Sequence, residues 1–246
     1  MEISLLTDVG QKRTNNQDYA NLFVNRAGKT LIILADGMGG HRAGNIASEM
    51  AVTDFGAAWV DTQIDSVNQV REWFAEHLEE ENQRIHQFGQ DEEYKGMGTT
   101  LEALAIIDNQ AIYAHIGDSR IGLIRGDEYR QLTNDHSLVN ALLKAGQITP
   151  EEAERHPQKN IITQSIGQKD EVQPDYGMIT LEDGDYLLLN SDGLTNMISD
   201  SEICDIVTSD ISLSEKTETL IRFANNAGGL DNITVALVRF DKEDKA

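Results

Sequence analysis

The chain has 246 residues, with 20 Lys and Arg against 42 Asp and Glu, a formal charge of -22. That balance argues against nucleic acid or an anionic membrane surface as the main partner, because phosphate groups are bound by clustered Lys and Arg. A hydrophobic content of 39% supports a packed core, and the single cysteine, Cys204, excludes both a disulfide framework and a cysteine-built zinc site.

No apolar stretch approaches the ~18 residues of a membrane span. The start, Met1-Glu2-Ile3-Ser4, lacks the basic lead and apolar core of a signal peptide, so a cytoplasmic protein is expected. In chain order, strands are expected over 3–9, 19–24 and 31–35, which are apolar or β-branched and separated by turn residues. Helical spacing follows, with one stripe at Ile46, Met50 and Phe55 and a longer one at Val67, Val70, Phe74, Leu78, Ile85 and Phe88. Strands resume over 101–107, 111–116, 121–124 and 129–132, with Asp108-Asn109 and Gly126-Asp127 as hairpin turns. A further strand pair flanks Asp183-Gly184, read as another hairpin. Helices near 201–208 and 214–227 lead to a last strand over 233–240 and a short tail, 241–246. Strands, two helices, strands, two helices and a strand give an α+β fold of two sheets with helices outside them. Pro150, Pro157 and Pro174 are the only prolines, and all lie within 134–174, which reads as a flap inserted into a single domain of 1–240.

The pattern that carries chemistry is local. Apolar strands run into Asp36-Gly37-Met38-Gly39-Gly40, Gly117-Asp118-Ser119 and Ser191-Asp192-Gly193, and Asp231-Asn232 leads into the last strand. Asp-Gly beside one strand is ordinary turn composition. Four aspartates at strand ends, converging at the rim of one core, would instead repel and be costly to desolvate, and divalent cations are the natural remedy. Carboxylate oxygens with few histidines select hard ions, Mg²⁺ or Mn²⁺. A phosphate-loop reading of the same glycines fails, since Asn45-Ile46 stand where such a loop needs Lys and Ser or Thr. Cys204 has no arginine in the six positions after it, so a cysteine-phosphatase loop is absent, and no Gly-x-Ser-x-Gly elbow supports a serine hydrolase.

An early polar loop, Arg13-Thr14-Asn15-Asn16-Gln17-Asp18, adds a further aspartate and an arginine suited to bidentate phosphate recognition. Together with Ala35-Asp36-Gly37-Met38-Gly39-Gly40-His41, Gly96-Met97-Gly98-Thr99-Thr100, His115-Ile116-Gly117-Asp118-Ser119-Arg120, Leu132-Thr133-Asn134-Asp135-His136-Ser137, Ser191-Asp192-Gly193-Leu194 and Gly229-Leu230-Asp231-Asn232-Ile233-Thr234, it resembles the metal-dependent (type 2C) serine/threonine protein phosphatases. The ordered set spans nearly the whole chain and is similar to the single-domain bacterial members.

The resemblance implies an αββα sandwich of two antiparallel sheets packed face to face, with helix pairs outside and a small flap. It implies two core Mn²⁺ or Mg²⁺ ions and a weaker third. Asp36 would bridge the core pair, the Gly37 carbonyl would bind one, Asp192 and Asp231 the other, and Asp18 would act through metal-bound water. Asp118 with Asp192 would form the third site. Arg13 would clamp the substrate phosphate while a metal-bridging water attacks phosphorus directly, with no covalent intermediate. Implied partners are phosphoserine and phosphothreonine proteins, including a cognate serine/threonine kinase and its substrates. A monomer is expected, with no nucleic-acid or membrane ligand.

Methionine at position 38 departs from the animal members, which carry the proposed general-acid histidine there. His41 or a water on the third metal could supply that proton. His77, His86 and His156 read as surface or helix-face residues and His115 as packing. Two alternatives share the fold: a catalytically silent phosphoprotein-binding module, and a partner-switching regulator phosphatase.

Overall fold

The computed structural model describes residues 1–39 and 43–242. In chain order the elements are β1 (Glu2–Asp8), β2 (Asp18–Val24), β3 (Thr30–Met38), α1 (Ala43–Val60), α2 (Val67–Phe88), β4 (Gly98–Thr99), β5 (Leu101–Ile107), β6 (Gln110–Ile116), β7 (Arg120–Arg125) and β8 (Glu128–Gln131). They continue with α3 (Leu138–Lys144), α4 (Pro150–Glu154), β9 (Asp175–Thr180), β10 (Tyr186–Asn190), α5 (Asp192–Thr195), α6 (Asp200–Thr208), α7 (Leu213–Asn226) and β11 (Ile233–Arg239). A five-stranded sheet runs β1-β11-β10-β7-β8, and a six-stranded one runs β2-β3-β5-β6-β9 with β4 paired to the end of β3.

Strand β3 shows why the layers form. Side chains alternate across a strand, so Leu31, Ile33 and Ala35 face α1 and α2, while Ile32 and Leu34 face the other sheet. Strand β11 does the same from its side, with Ile233, Val235 and Leu237 toward α6 and α7 and Ala236 and Val238 toward β3's sheet. An unbroken apolar run is thus a strand buried on both faces, and the layers are helix, sheet, sheet, helix.

The outer helices are fixed by different means. Helix α1 presents Ala47, Ala51 and Phe55 to the sheet, and an aromatic group of Phe55, Trp59, Trp73 and Phe74 joins α1 to α2. Helices α6 and α7 each begin with a capping box, Ser199 with Glu202 and Ser212 with Glu215, which satisfies otherwise unpaired backbone N–H groups.

The expected hairpins at Asp108-Asn109 and Gly126-Asp127 are present, pairing β5 with β6 and β7 with β8. The one expected at Asp183-Gly184 is not. Strand β9 pairs with β6 in one sheet and β10 with β7 and β11 in the other, so this turn carries the chain across the sandwich. A turn dipeptide reverses the chain in either case, and only partner choice separates a hairpin from a corner. Strand β4 and helix α5 are further additions to the expected elements.

Candidate active site

One end of the sandwich collects the aspartates. Asp18 begins β2 and lies directly opposite Asp36 near the end of β3. Asp118 follows β6, Asp192 follows β10, and Asp231 precedes β11. These strands bring together carboxylates that lie far apart in sequence, and Asp36 senses the charge of Asp18, Asp192, Asp118 and Asp231.

Hydroxyl groups fix the carboxylates without neutralising them. Asp18 Oδ2 accepts from Ser191 Oγ and from Thr234 Oγ1, both at 2.7 Å. Among the described residues Asp18 Oδ1 and Asp192 Oδ1 are buried with no hydrogen-bond partner. Thr100 holds Asp36 from both sides of its peptide: its Oγ1 accepts the Asp36 N–H and its N–H donates to the Asp36 carbonyl, each at 2.9 Å. The same Oγ1 lies 2.9 Å from Ser119 Oγ, which stands next to Asp118. The side chain of Asn232 ties the 9–17 loop to β11, accepting from Gln17 N and donating to the carbonyls of Val9 and Asn15, each at 2.9 Å. That loop carries Arg13, whose Nη2 donates to Asp231 Oδ2 at 2.7 Å.

Gly37 is pressed between two backbone segments, and a Cβ there would overlap the Gly44 carbonyl. Its N–H donates to Gln17 O at 3.0 Å, which joins the Asp36-Gly37 turn to the arginine loop.

The electrostatics follow from this crowding. Burial, above the opposing help of Ser191 and Thr234, pushes the Asp18 carboxyl up to about 7. Burial and then Asp192 push Asp118 up to about 7. Burial and then Asp231 push Asp192 up to about 6. Asp36 is raised well above the usual carboxylate range by burial and by its acidic neighbours, Asp18 first. Among the described residues Arg13, 49% exposed at the rim, is the one guanidinium bonded to the set, and with Arg120 it offsets only part of the rise at Asp192.

A cavity of about 960 Å³ opens from Asp118 and Asp192 and runs between the flap helix α3 and the start of α6, past Arg120, Asp135, Asn140 and Ser199.

The structure therefore gathers Arg13, Asp18, Asp36, Gly37, Asp118, Asp192 and Asp231 at one end of the two sheets. His41 lies outside the described residues. His115 is more than packing. It is fully buried, and its Nδ1 sits 2.6 Å from Glu102 Oε1. Sequence reasoning also missed the supporting roles of Thr100, Ser119, Ser191 and Thr234. Their signal was available, since Ser119 and Ser191 each adjoin a motif aspartate.

Residues 9–236 match the family Protein phosphatase 2C. This chain belongs to the protein phosphatase 2C family. It is 84% identical over 244 residues to the protein phosphatase PhpP of Streptococcus pneumoniae, covering 99% of each chain. It is 43% identical to a serine/threonine phosphatase of Listeria welshimeri, covering 97% of this chain and 95% of that one. Among solved structures, the serine/threonine phosphatase of S. agalactiae superposes with a TM-score of 0.95 at 60% identity, covering 96% and 98% of the two chains. The serine/threonine phosphatase Stp1 of Staphylococcus aureus gives 0.93 at 36% identity, covering 98% and 95%. The α+β sandwich is thus the type 2C phosphatase fold, and the chain is a protein-serine/threonine phosphatase that acts on phosphoproteins. Among the described residues no helix is long and apolar enough to cross a membrane.

Proposed function

We propose that this phosphatase is divalent-cation-dependent, hydrolyses phosphoserine and phosphothreonine without a covalent enzyme intermediate, and opposes a serine/threonine protein kinase in the cytoplasm as a monomer in which 1–240 form one domain. The carrying observation is the pair of orphaned, buried carboxylate oxygens, Asp18 Oδ1 and Asp192 Oδ1, within a set of aspartates that raise one another's pKa. Such a donor set fits hard cations.

Asp36, the Gly37 carbonyl, Asp192 and Asp231 would hold a core pair of Mn²⁺ or Mg²⁺, with Asp18 acting through water and Asp118 with Asp192 holding a third ion. Mg²⁺ and Mn²⁺ sites of this kind keep several waters beside a few carboxylates. When bound, these cations supply positive charge for the phosphoryl oxygens and lower the pKa of water toward neutrality.

The chain's own residues support the rest. Arg13 stands at the rim with its Nη2 on Asp231 Oδ2, placed to turn onto a phosphate. Ser191 and Thr234 aim the Asp18 carboxylate by holding one oxygen. The candidate nucleophiles are disarmed. Ser119 and Ser191 are fully buried and hydrogen-bonded, and Cys204 sits in the α6 core with its thiol pKa raised by burial. Met38 offers no proton to the leaving oxygen, so His41 or ordered water remains for that task.

The test is phosphate release from phosphoserine and phosphothreonine peptides. Release is expected with Mn²⁺ or Mg²⁺ and is expected to stop in excess EDTA. Full release in EDTA, or a trapped phosphoenzyme, would overturn the reading.

A further inference from the structure

Gly117 connects buried His115 to Asp118, and its backbone has been given no freedom. Its φ is +116°, a region that favours glycine, and a Cβ there would overlap the Thr100 side chain. Both of its polar groups go to one residue. The His136 N–H donates to the Gly117 carbonyl at 2.6 Å, and the Gly117 N–H donates to His136 Nδ1 at 3.2 Å.

His136 is itself held from two sides. Its ring packs on that of His115, with centroids 4.6 Å apart, and His115 is pinned by Glu102 Oε1 at Nδ1 and by the Asn134 carbonyl at Nε2, 3.0 Å away. On the other side, His136 opens the flap. Its carbonyl accepts from Thr163 N at 2.8 Å, Ser137 bridges Ile162, and Leu138 N donates to Ile161 O at 2.8 Å. Because Nδ1 accepts, the ring proton belongs on Nε2, which faces Asp175 Oδ2 at 3.5 Å. Burial, and then the neighbouring His115, lower the His136 pKa, which keeps that lone pair available near neutral pH.

We infer that His136 is a positioning residue, the joint through which the base of the flap fixes the Gly117 peptide and thereby aims the Asp118 carboxylate. The inference rests on the reading of Asp118 as part of the working aspartate set. It assigns His136 no contact with the reacting phosphate.

Two polar variants separate the clamp from general packing. In His136→Asn the amide oxygen can overlie Nδ1 and keep the Gly117 bond. In His136→Gln it reaches the Nε2 position instead. With a phosphothreonine peptide and saturating Mn²⁺, H136Q is expected to lower kcat about 10-fold with KM within about twofold, and H136N to recover most of the loss. In an Asp118→Ala background the H136Q change is expected to add less than about twofold. Amide hydrogen exchange in the metal-free protein reads the clamp directly. The Gly117 amide should be protected in the wild type and in H136N, and should exchange fast in H136Q. Equal kcat in H136N and H136Q, a full additive loss beside Asp118→Ala, or an unprotected Gly117 amide in the wild type would each overturn the inference. A wild-type protein inactive on every phosphopeptide would sink the functional reading instead, and the exchange experiment would still decide the clamp.

Discussion

Strand β10 has an aspartate beyond each end, and the two are treated oppositely. Asp185, just before the strand, is buried and fully partnered. Arg125 Nε and Nη2 donate to its two oxygens at 2.8 and 2.7 Å, and the Glu182 N–H adds a third bond at 2.8 Å. Asp192, just after the strand, keeps one buried oxygen with no partner among the described residues and sits among other carboxylates. The ends are separated by five strand residues, roughly 17 Å. At one end a guanidinium bonds both carboxylate oxygens; at the other, among the described residues, only the Asn196 amide donates to the carboxylate. That difference fits the proposed cation-dependent reading, because a site that must bind positive charge cannot already contain it.

The largest expected effect is at the unpaired end. Asp36→Asn should lower kcat by on the order of 10³-fold or more, since it removes a charge that no neighbour replaces. The same variant, free of metal, should be more stable than the wild type by roughly 0.5–2 kcal/mol, because it relieves carboxylate repulsion. Chemical denaturation in EDTA measures this. A metal-free variant less stable than the wild type would break the contrast.

Asp185→Asn should do the reverse, lowering stability by roughly 1–3 kcal/mol while leaving phosphopeptide turnover within about twofold. Arg125 is 41% exposed, so solvent softens the loss relative to a fully buried pair. A large activity loss with unchanged melting temperature would show that the paired end is also functional.

The contrast also predicts a pH dependence. Asp18 and Asp118 are raised to about 7 and Asp192 to about 6 in the folded protein. An unfolded aspartate titrates near 3.9, so between those values the folded state holds protons that the unfolded state has released. Their stabilisation is complete below pH ~4 and is lost as pH rises through 6 and 7. Metal-free protein should therefore melt at a lower temperature at pH 8 than at pH 5.5, and millimolar Mn²⁺ should recover the difference at pH 8. A melting temperature that rises with pH in EDTA would remove the argument from raised carboxylates.

The smallest effect lies far from both ends. Ser212→Ala deletes the α7 cap, whose hydroxyl accepts from Glu215 N at 3.3 Å. It should lower stability by about 1 kcal/mol and leave turnover unchanged, which gives the baseline for a purely structural change.

Much of this was legible in the sequence. Apolar runs such as Leu31–Ile32–Ile33–Leu34 identified buried strands, and glycine-flanked aspartates at strand ends pointed to the carboxylates that the fold gathers at one end. Arg13 was legible through its ordered motif. The Asp183-Gly184 turn was misread because a turn dipeptide does not state which sheet the next strand will join. Glu102, His115 and His136 were not legible as a unit, since their contacts join β5, β6 and the start of the flap.

By itself the sequence determined the layers and the family, and it named the candidate carboxylates, because periodicity and motif order are properties of the chain. Only the tertiary structure decided which aspartates are partnered and which are left bare. Asp185 and Asp192 look alike in sequence, each beside a glycine at a strand end. What separates them is whether a guanidinium from another strand reaches the carboxylate, as Arg125 does for Asp185. Charge compensation acts over a few ångströms of space, and neighbours at that distance are chosen by strand pairing rather than by adjacency in the chain.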